Sequence, residues 1–378
     1  MDFAWTPEQR DAYDEVRASA ERAFPPIADA SRLHDREAWR RLGRLGLLGL
    51  CIPAEYGGGG QGALDTALRV EAFGRGCADT GLVFAASAHQ FACAVPIAGF
   101  GAPEVKKGLL PRICSGEVVA GNAMTEAGAG SDVSRLAVTA TETADGYLLN
   151  GEKTFVTNGP VADVLVTYAT TDPAAAHLGV TAFVLDRDTP GLTVSEPFDK
   201  MGLVSAPAGR VSFQDCLVPA NRVLGEPGQG AAIFQHSMRW ERACLFAGYV
   251  GLLDRLVERC VEHVRSRRQF GRRIGDFQAV ANRIVEMKLR TESARLLLYR
   301  CCWEMDNGGG SELNVALSKL AVSEAAVAGA LDAVRLFGGL GYLRDTGIET
   351  MLRDAVPSTI FSGTSDVQRL LIARELGL

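Results

Sequence analysis

The sequence predicts an α+β protein in three parts: an N-terminal helical domain over residues 1–117, a β-barrel-like middle domain over 118–227 and a C-terminal four-helix bundle over 228–378. Two changes of texture predict it. Apolar residues recur every three to four positions in the first and last thirds, the spacing that lines them along one helix face. Between these thirds come short runs rich in β-branched and aromatic residues, bounded by Asp-Gly and Asn-Gly. With 378 residues, 47% of them hydrophobic, the chain can bury a core large enough to divide into such units.

Each third carries its own markers. In the first, Trp39-Leu42-Leu45 and Leu64-Leu68-Phe73 are helix stripes. The long apolar run from Gly81 to Gly101 is broken by Ser87, His89, Gln90 and Pro96, so it reads as a buried helix and not a membrane span. The opening residues, MDFAWTPEQRDAYDEV, are acidic and amphipathic, unlike a signal or transit peptide. In the middle, Tyr147–Leu149, Val164–Tyr168, Val180–Leu185 and Arg210–Phe213 read as strands, with Asp145-Gly146 and Asn150-Gly151 as tight turns. In the last third, Val250, Leu253, Val257, Val261 and Val264 fall on one face of a long helix.

A net charge of −6 leaves no broad basic field, so nucleic acid and anionic membrane are excluded as partners, and a cytoplasmic enzyme is expected. Nine cysteines, an odd count without a C-x-x-C pair and with Cys301 beside Cys302, point to reduced core thiols and to no metal site. Gly57-Gly58-Gly59-Gly60-Gln61-Gly62 satisfies the dinucleotide pattern G-x-G-x-x-G. No repeated βαβ unit follows it, so it reads as a glycine-rich connector.

The motifs that carry chemistry are spread along the chain. Met124–Asp132 (MTEAGAGSD) sets small residues and hydroxyls at the edge of the β domain, where backbone amides can approach a phosphate. Phe155-Val156-Thr157-Asn158 offers an aromatic face beside a hydroxyl. Later come Arg267-Arg268-Gln269-Phe270-Gly271, Phe277-Gln278, Leu336-Phe337-Gly338-Gly339-Leu340-Gly341-Tyr342 and Ser358–Asp366 (STIFSGTSD). In this order and over this domain pattern they resemble the acyl-CoA dehydrogenase family from end to end.

The resemblance implies FAD, held noncovalently between the β domain and the C-terminal helices of a homo-oligomer that is usually a tetramer. Met124, Thr125, Gly130 and Ser131 match its flavin and pyrophosphate contacts, and Phe155 and Thr157 the segment covering the ring near N5. Arg267, Phe270, Gly338 and Gly339 match groups reaching a neighbour's FAD, and Gln269, Gln278 and Leu336 are placed with them. Thr364 and Asp366 match contacts on the adenosine side.

Oxidising a saturated thioester in this family needs one carboxylate to take the α-proton while flavin N5 accepts the β-hydride. Where many members carry that base, this chain has Ser362, and none of His34, His89, His177, His236 or His263 is next to it in sequence. In the isovaleryl-like branch the carboxylate comes from an earlier segment shaped E-R-x-x-x-A-G, which here reads Glu241-Arg242-Ala243-Cys244-Leu245-Phe246-Ala247-Gly248. The resemblance therefore implies Glu241 as base and leaves Ser362 to serve through its backbone N–H, its side chain a leftover. Arg239, Arg242 and Phe361 are assigned to the substrate. Arg239 stands where short- and medium-chain members carry an acidic pantetheine contact, and the W-E-R pattern is similar to that of dehydrogenases acting on acyl or prolyl groups tethered to carrier proteins. CoA and carrier protein both stay open as the thioester donor, and an electron-transfer flavoprotein or oxygen as the acceptor. The alternative on the same fold is an amine-hydroxylating flavin monooxygenase, a class that lacks the carboxylate.

Overall fold

The computed structural model describes residues 4–25, 35–133 and 135–378; Met1–Phe3 of the opening stretch and His34 lie outside them. The first third folds into α1 (Pro7–Ala23), α2 (Arg36–Arg44), α3 (Ala63–Gly76), α4 (Thr80–Ala88), α5 (Val95–Phe100) and α6 (Pro103–Cys114). Thr6 and Gln9 form a reciprocal capping box at α1, and Asp35 and Asp79 accept first-turn amides of α2 and α4. These side chains satisfy donors that a helix start cannot satisfy internally. Trp39 and Leu42 are fully buried, whereas Leu45 falls just past the end of α2 and stays partly exposed.

A π-helical turn, His89–Ala94, joins α4 to α5, so the apolar run forms one helical rod from Thr80 to Phe100. By composition it could cross a membrane, yet 83% of its most apolar stretch is buried inside the fold. The glycine-rich segment is a connector. A Cβ on Gly58 would sit 2.1 Å from the Ile52 carbonyl oxygen. The N-terminus of α3, which a dinucleotide reading would assign to pyrophosphate, is capped by Asp306, whose carboxylate accepts from Ala63 N (2.5 Å) and Leu64 N (2.9 Å).

The middle third is one sheet. Its strands are β1 (Ala120–Ala123), β2 (Thr139–Thr143), β3 (Gly146–Thr157), β4 (Val164–Thr170), β5 (Val180–Asp186), β6 (Leu192–Val194), β7 (Ala208–Val218) and β8 (Val223–Leu224). They run in the order β6-β7-β3-β2-β4-β5-β8, with β1 parallel to β4. The path is open, not a closed barrel, and β2 meets β4 through the single pair Thr139–Thr170. The chain turns at Asp145-Gly146, but Asn150-Gly151 is no turn. β3 runs through it, and its pairing with β7 slips register between Leu149 and Gly151, where Gly151 adopts φ +130°. The extra residue of this bulge lies on β7, where Gln214 and Asp215 stand opposite the single Asn150 and Asp215 takes φ +45°. Asn150 pins it, accepting from Asp215 N (2.8 Å) and donating to the Asp215 carboxylate (3.1 Å).

The last third holds α7 (Gly230–Trp240), a second π-helical turn (Glu241–Leu245), α8 (Ala247–Ser266), the hairpin β9 (Arg268–Gln269) and β10 (Arg272–Arg273), α9 (Gln278–Asp306), α10 (Glu312–Phe337), α11 (Gly339–Tyr342), α12 (Ile348–Ala355) and α13 (Ser365–Glu375). The long helices α8, α9 and α10 pack on one another, with α13 against α10 and α3 against α8. On α8, Val250, Leu253 and Val264 are buried, as their spacing requires. All nine cysteines are unpaired and eight are buried.

Candidate active site

The second π-helical turn places Glu241 and Arg242 side by side in the interior, each only 7% exposed. A π turn carries one residue more than an α turn and so re-aims the side chains it holds. Ser362, 121 residues further on, meets both. Its hydroxyl donates to Glu241 Oε1, and its backbone carbonyl accepts from Arg242 Nε at 2.9 Å. The serine side chain is therefore engaged, not left over. Burial pushes the Glu241 carboxyl above the ordinary carboxylate range; the Ser362 hydroxyl and the Arg242 charge pull it back only in part. Oε2 has no hydrogen-bond partner among the described residues, nor is it sealed from open space. The Ser362 N–H, too, donates to no acceptor among them.

Aromatic packing holds the serine segment in place. Phe361 lies 4.5 Å from Phe84, 5.4 Å from Phe246 and 6.1 Å from Tyr249, ring centre to ring centre. Ser358 is tied to α12 and α10 through Ala355 O (2.6 Å) and Ser323 Oγ (2.9 Å). Thr364 caps α13, accepting from Val367 N at 3.1 Å, and Gln368 donates to Gly363 O at 3.1 Å. Asp366, in the first turn of α13, points to solvent.

Several neighbours of Glu241 carry no motif in the sequence. Burial raises both Cys93, in the first π turn, and Tyr168, on β4, and the nearby Glu241 charge adds to each shift. The buried Tyr168 hydroxyl has no hydrogen-bond partner among the described residues, and the Ser237 Oγ donates to Phe234 O at 2.9 Å. Lys319, fully buried on α10, has its ammonium 5.3 Å from the centre of the Phe246 ring and is pushed down to about 8 by burial and by Arg242. Such residues are legible only once distant elements meet. Arg239 lies on α7, paired with Glu312 at 3.1 Å. His236 packs edge-on against Phe100 (5.4 Å); the partner of Ser362 is Glu241.

A second group of residues lines the middle sheet. Phe155 and Thr157 lie two apart at the end of β3, where its pairing with β7 slips between Lys153 and Val156; Phe155 is 68% exposed at φ +54° and leans on Phe198 (5.4 Å). The Thr157 and Thr125 hydroxyls make no hydrogen bond among the described residues, and the Ser131 side chain is exposed. Beneath them the Met124–Ser131 loop is anchored by the buried Lys153, which donates to Met124 O (3.1 Å) and to Glu126 (2.7 Å). Glu126 also accepts from Ala137 N (2.5 Å) and Val138 N (3.0 Å). An open aromatic face, unbonded hydroxyls and a pinned small-residue loop suit a planar heteroaromatic ring with a phosphate tail. The third group, Arg267, Gln269, Phe270 and Gln278 with Leu336, Gly338 and Gly339, lies where α8 ends, α9 begins and α10 turns into α11. There Phe270 is 92% exposed, its ring 6.1 Å from that of Phe277.

The family profiles for the N-terminal, middle and C-terminal domains of acyl-CoA dehydrogenase match residues 6–117, 121–216 and 228–377. The chain belongs to the acyl-CoA dehydrogenase family. Among curated proteins it is similar to the L-prolyl-[peptidyl-carrier protein] dehydrogenase of Pseudomonas fluorescens, 58% identical over 349 residues, or 92% of each chain. Among solved structures it resembles PigA with FAD and proline (TM-score 0.97, 42% identity, all of both chains). It also resembles the prolyl acyl carrier protein oxidase AnaB (TM-score 0.96, 42% identity, 99% of this chain and 100% of that one).

Proposed function

We propose that this chain oxidises an acyl group, prolyl above all, held as a thioester on a carrier protein, with FAD as cofactor and Glu241 as the base. The observation that carries this reading is the state of Glu241: a buried carboxylate with one oxygen held and the other open. Bound FAD supplies the two-electron acceptor for the hydrogen leaving Cβ. The protein's own part is to take the α-proton on Glu241 Oε2, with Ser362 N–H as donor to the thioester oxygen and Arg242 holding the same residue by its carbonyl. Phe155 and Thr157 would hold the ring, Met124, Thr125, Gly130 and Ser131 the flavin and pyrophosphate, and Thr364 and Asp366 the adenosine side. The identity to a prolyl-carrier dehydrogenase supports the carrier over free CoA.

The working form is proposed as a cytoplasmic homotetramer passing electrons to a flavoprotein or to oxygen. Exposed Phe270 in the β9–β10 hairpin, Tyr342 at the end of α11, and Val285 and Leu289 on α9 support an oligomer, since large apolar side chains left open to solvent mark a contact face. Arg267, Gln269, Phe270, Gln278, Leu336, Gly338 and Gly339 would then reach the FAD of the neighbouring subunit. Size-exclusion chromatography with light scattering is expected to give a yellow oligomer; a monomer that retains FAD would remove this third group from the cofactor site.

Two further results are expected. Anaerobic mixing with a panel of acyl-CoAs and carrier-loaded acyl and prolyl groups should bleach the flavin fastest with the prolyl carrier; faster bleaching by any acyl-CoA would reassign the donor. Thr157→Val should retain FAD yet slow its reduction about tenfold, the effect of losing one hydrogen bond of about 1.4 kcal/mol to the ring. An unchanged rate would take Thr157 out of the site.

A further inference from the structure

We propose that the Ser362 hydroxyl is a positioning group for the base: it holds one oxygen of Glu241 and leaves the other as the sole proton acceptor. The proposal rests on the reading of Glu241 as base. Two adjacent side chains of the π turn grip one residue from two sides, Glu241 through its hydroxyl and Arg242 through its carbonyl at 2.9 Å. Ser362 also sits at φ +55°, a conformation in which glycine is unstrained and serine is not. What serine supplies there and glycine lacks is the hydroxyl.

Two consequences follow for the chemistry. A carboxylate pinned by Oε1 cannot turn about its last bond, so Oε2 meets every substrate in the same orientation. A donor on Oε1 also favours the ionised form, which opposes the burial that would keep the base protonated. Other groups must be weighed in that balance. Arg242 lies beside Glu241, with Cys93 facing it from the first π turn and Tyr168 from β4. Beyond these, α7 carries His236 and Arg239, α10 carries Glu312 and Lys319, and α9 carries Cys301 and Cys302. On α3 and α8, Glu71, Arg75 and Asp254 belong to the Arg295 ion-pair network, and α4 carries no titratable side chain. Ser362 is the group hydrogen-bonded to the Glu241 carboxylate among the described residues.

The test uses the FAD-loaded enzyme with Ser362→Ala and Ser362→Gly, the first keeping the backbone strain and the second relieving it. In both, the acid limb of the flavin-reduction rate should move up by roughly one pH unit, and the rate on the plateau above it should fall about tenfold as the carboxylate loses its fixed orientation. Substrate-free infrared difference spectra should show the protonated-carboxyl band of Glu241, identified by its loss in Glu241→Gln, persisting to higher pH in both variants. An unmoved limb and band in both, a shift in the alanine variant alone, or an equal loss at all pH values would each overturn the proposal. If Glu241→Gln keeps full activity, the base reading fails, and the infrared band still reports whether Ser362 acts on Glu241.

Discussion

Glu241→Gln is expected to give a yellow, FAD-loaded protein whose flavin is reduced by the loaded carrier at least ~10²-fold more slowly, the size of a general-base contribution. Glutamine keeps the shape and can still accept from the Ser362 hydroxyl, so the site should survive while its proton acceptor is lost. Rapid-mixing spectroscopy of flavin bleaching checks this. A variant that bleaches at the wild-type rate would place the base elsewhere. The same change should raise thermal stability near neutrality. Below the ordinary carboxylate range, Glu241 is protonated in folded and unfolded chains alike and the two proteins should match. As pH rises through the raised folded value, wild type must carry a buried charge that the variant lacks. The gain should therefore appear with rising pH, and a gain confined to acid would contradict the burial argument.

Lys153→Met should destabilise the middle sheet by about 3 kcal/mol, because it leaves the buried Glu126 carboxylate without its counter-ion. The two amides of Ala137 and Val138 still donate to Glu126, which keeps the expected cost at the low end for a broken buried pair. Since Lys153 also holds Met124 O, the loss should fall on the loop proposed to carry the flavin, read as FAD release several degrees below wild type. Adding Glu126→Gln removes the stranded charge but keeps a carbonyl oxygen for only one of the two amides, so the double variant should recover part of the loss. Equal instability of single and double variants would mean that packing, and not charge, holds the loop.

The sequence made the order of helix, sheet and helix legible because apolar spacing reports which face is buried, and both changes of texture mark real changes of partner. It misplaced detail where the same local signal serves two geometries. Asn-Gly marks a hairpin and can also lie inside a strand opposite a bulge; β3 continues through Asn150-Gly151 because β7 pairs on both sides of it and takes up the extra residue at Gln214-Asp215. Neither π turn could be read, since one extra residue leaves the apolar pattern of Thr80–Phe100 intact and leaves Glu241 on a stretch that still looks helical. Glu241 itself was legible through the segment it shares with a family branch. Its bond to Ser362, and the Lys153–Glu126 anchor, join residues far apart in the chain that no spacing relates. For that reason the serine looked idle in the sequence and is engaged in the fold.

The most direct measurement is a single anaerobic turnover of the FAD-loaded enzyme with a prolyl-loaded carrier, following flavin absorbance and the mass of the carrier-bound product together. The account predicts full bleaching and a product lighter by two hydrogens, both abolished on that timescale in Glu241→Gln. A flavin that stays oxidised, or a product that forms only in air and is heavier by one oxygen, would contradict it.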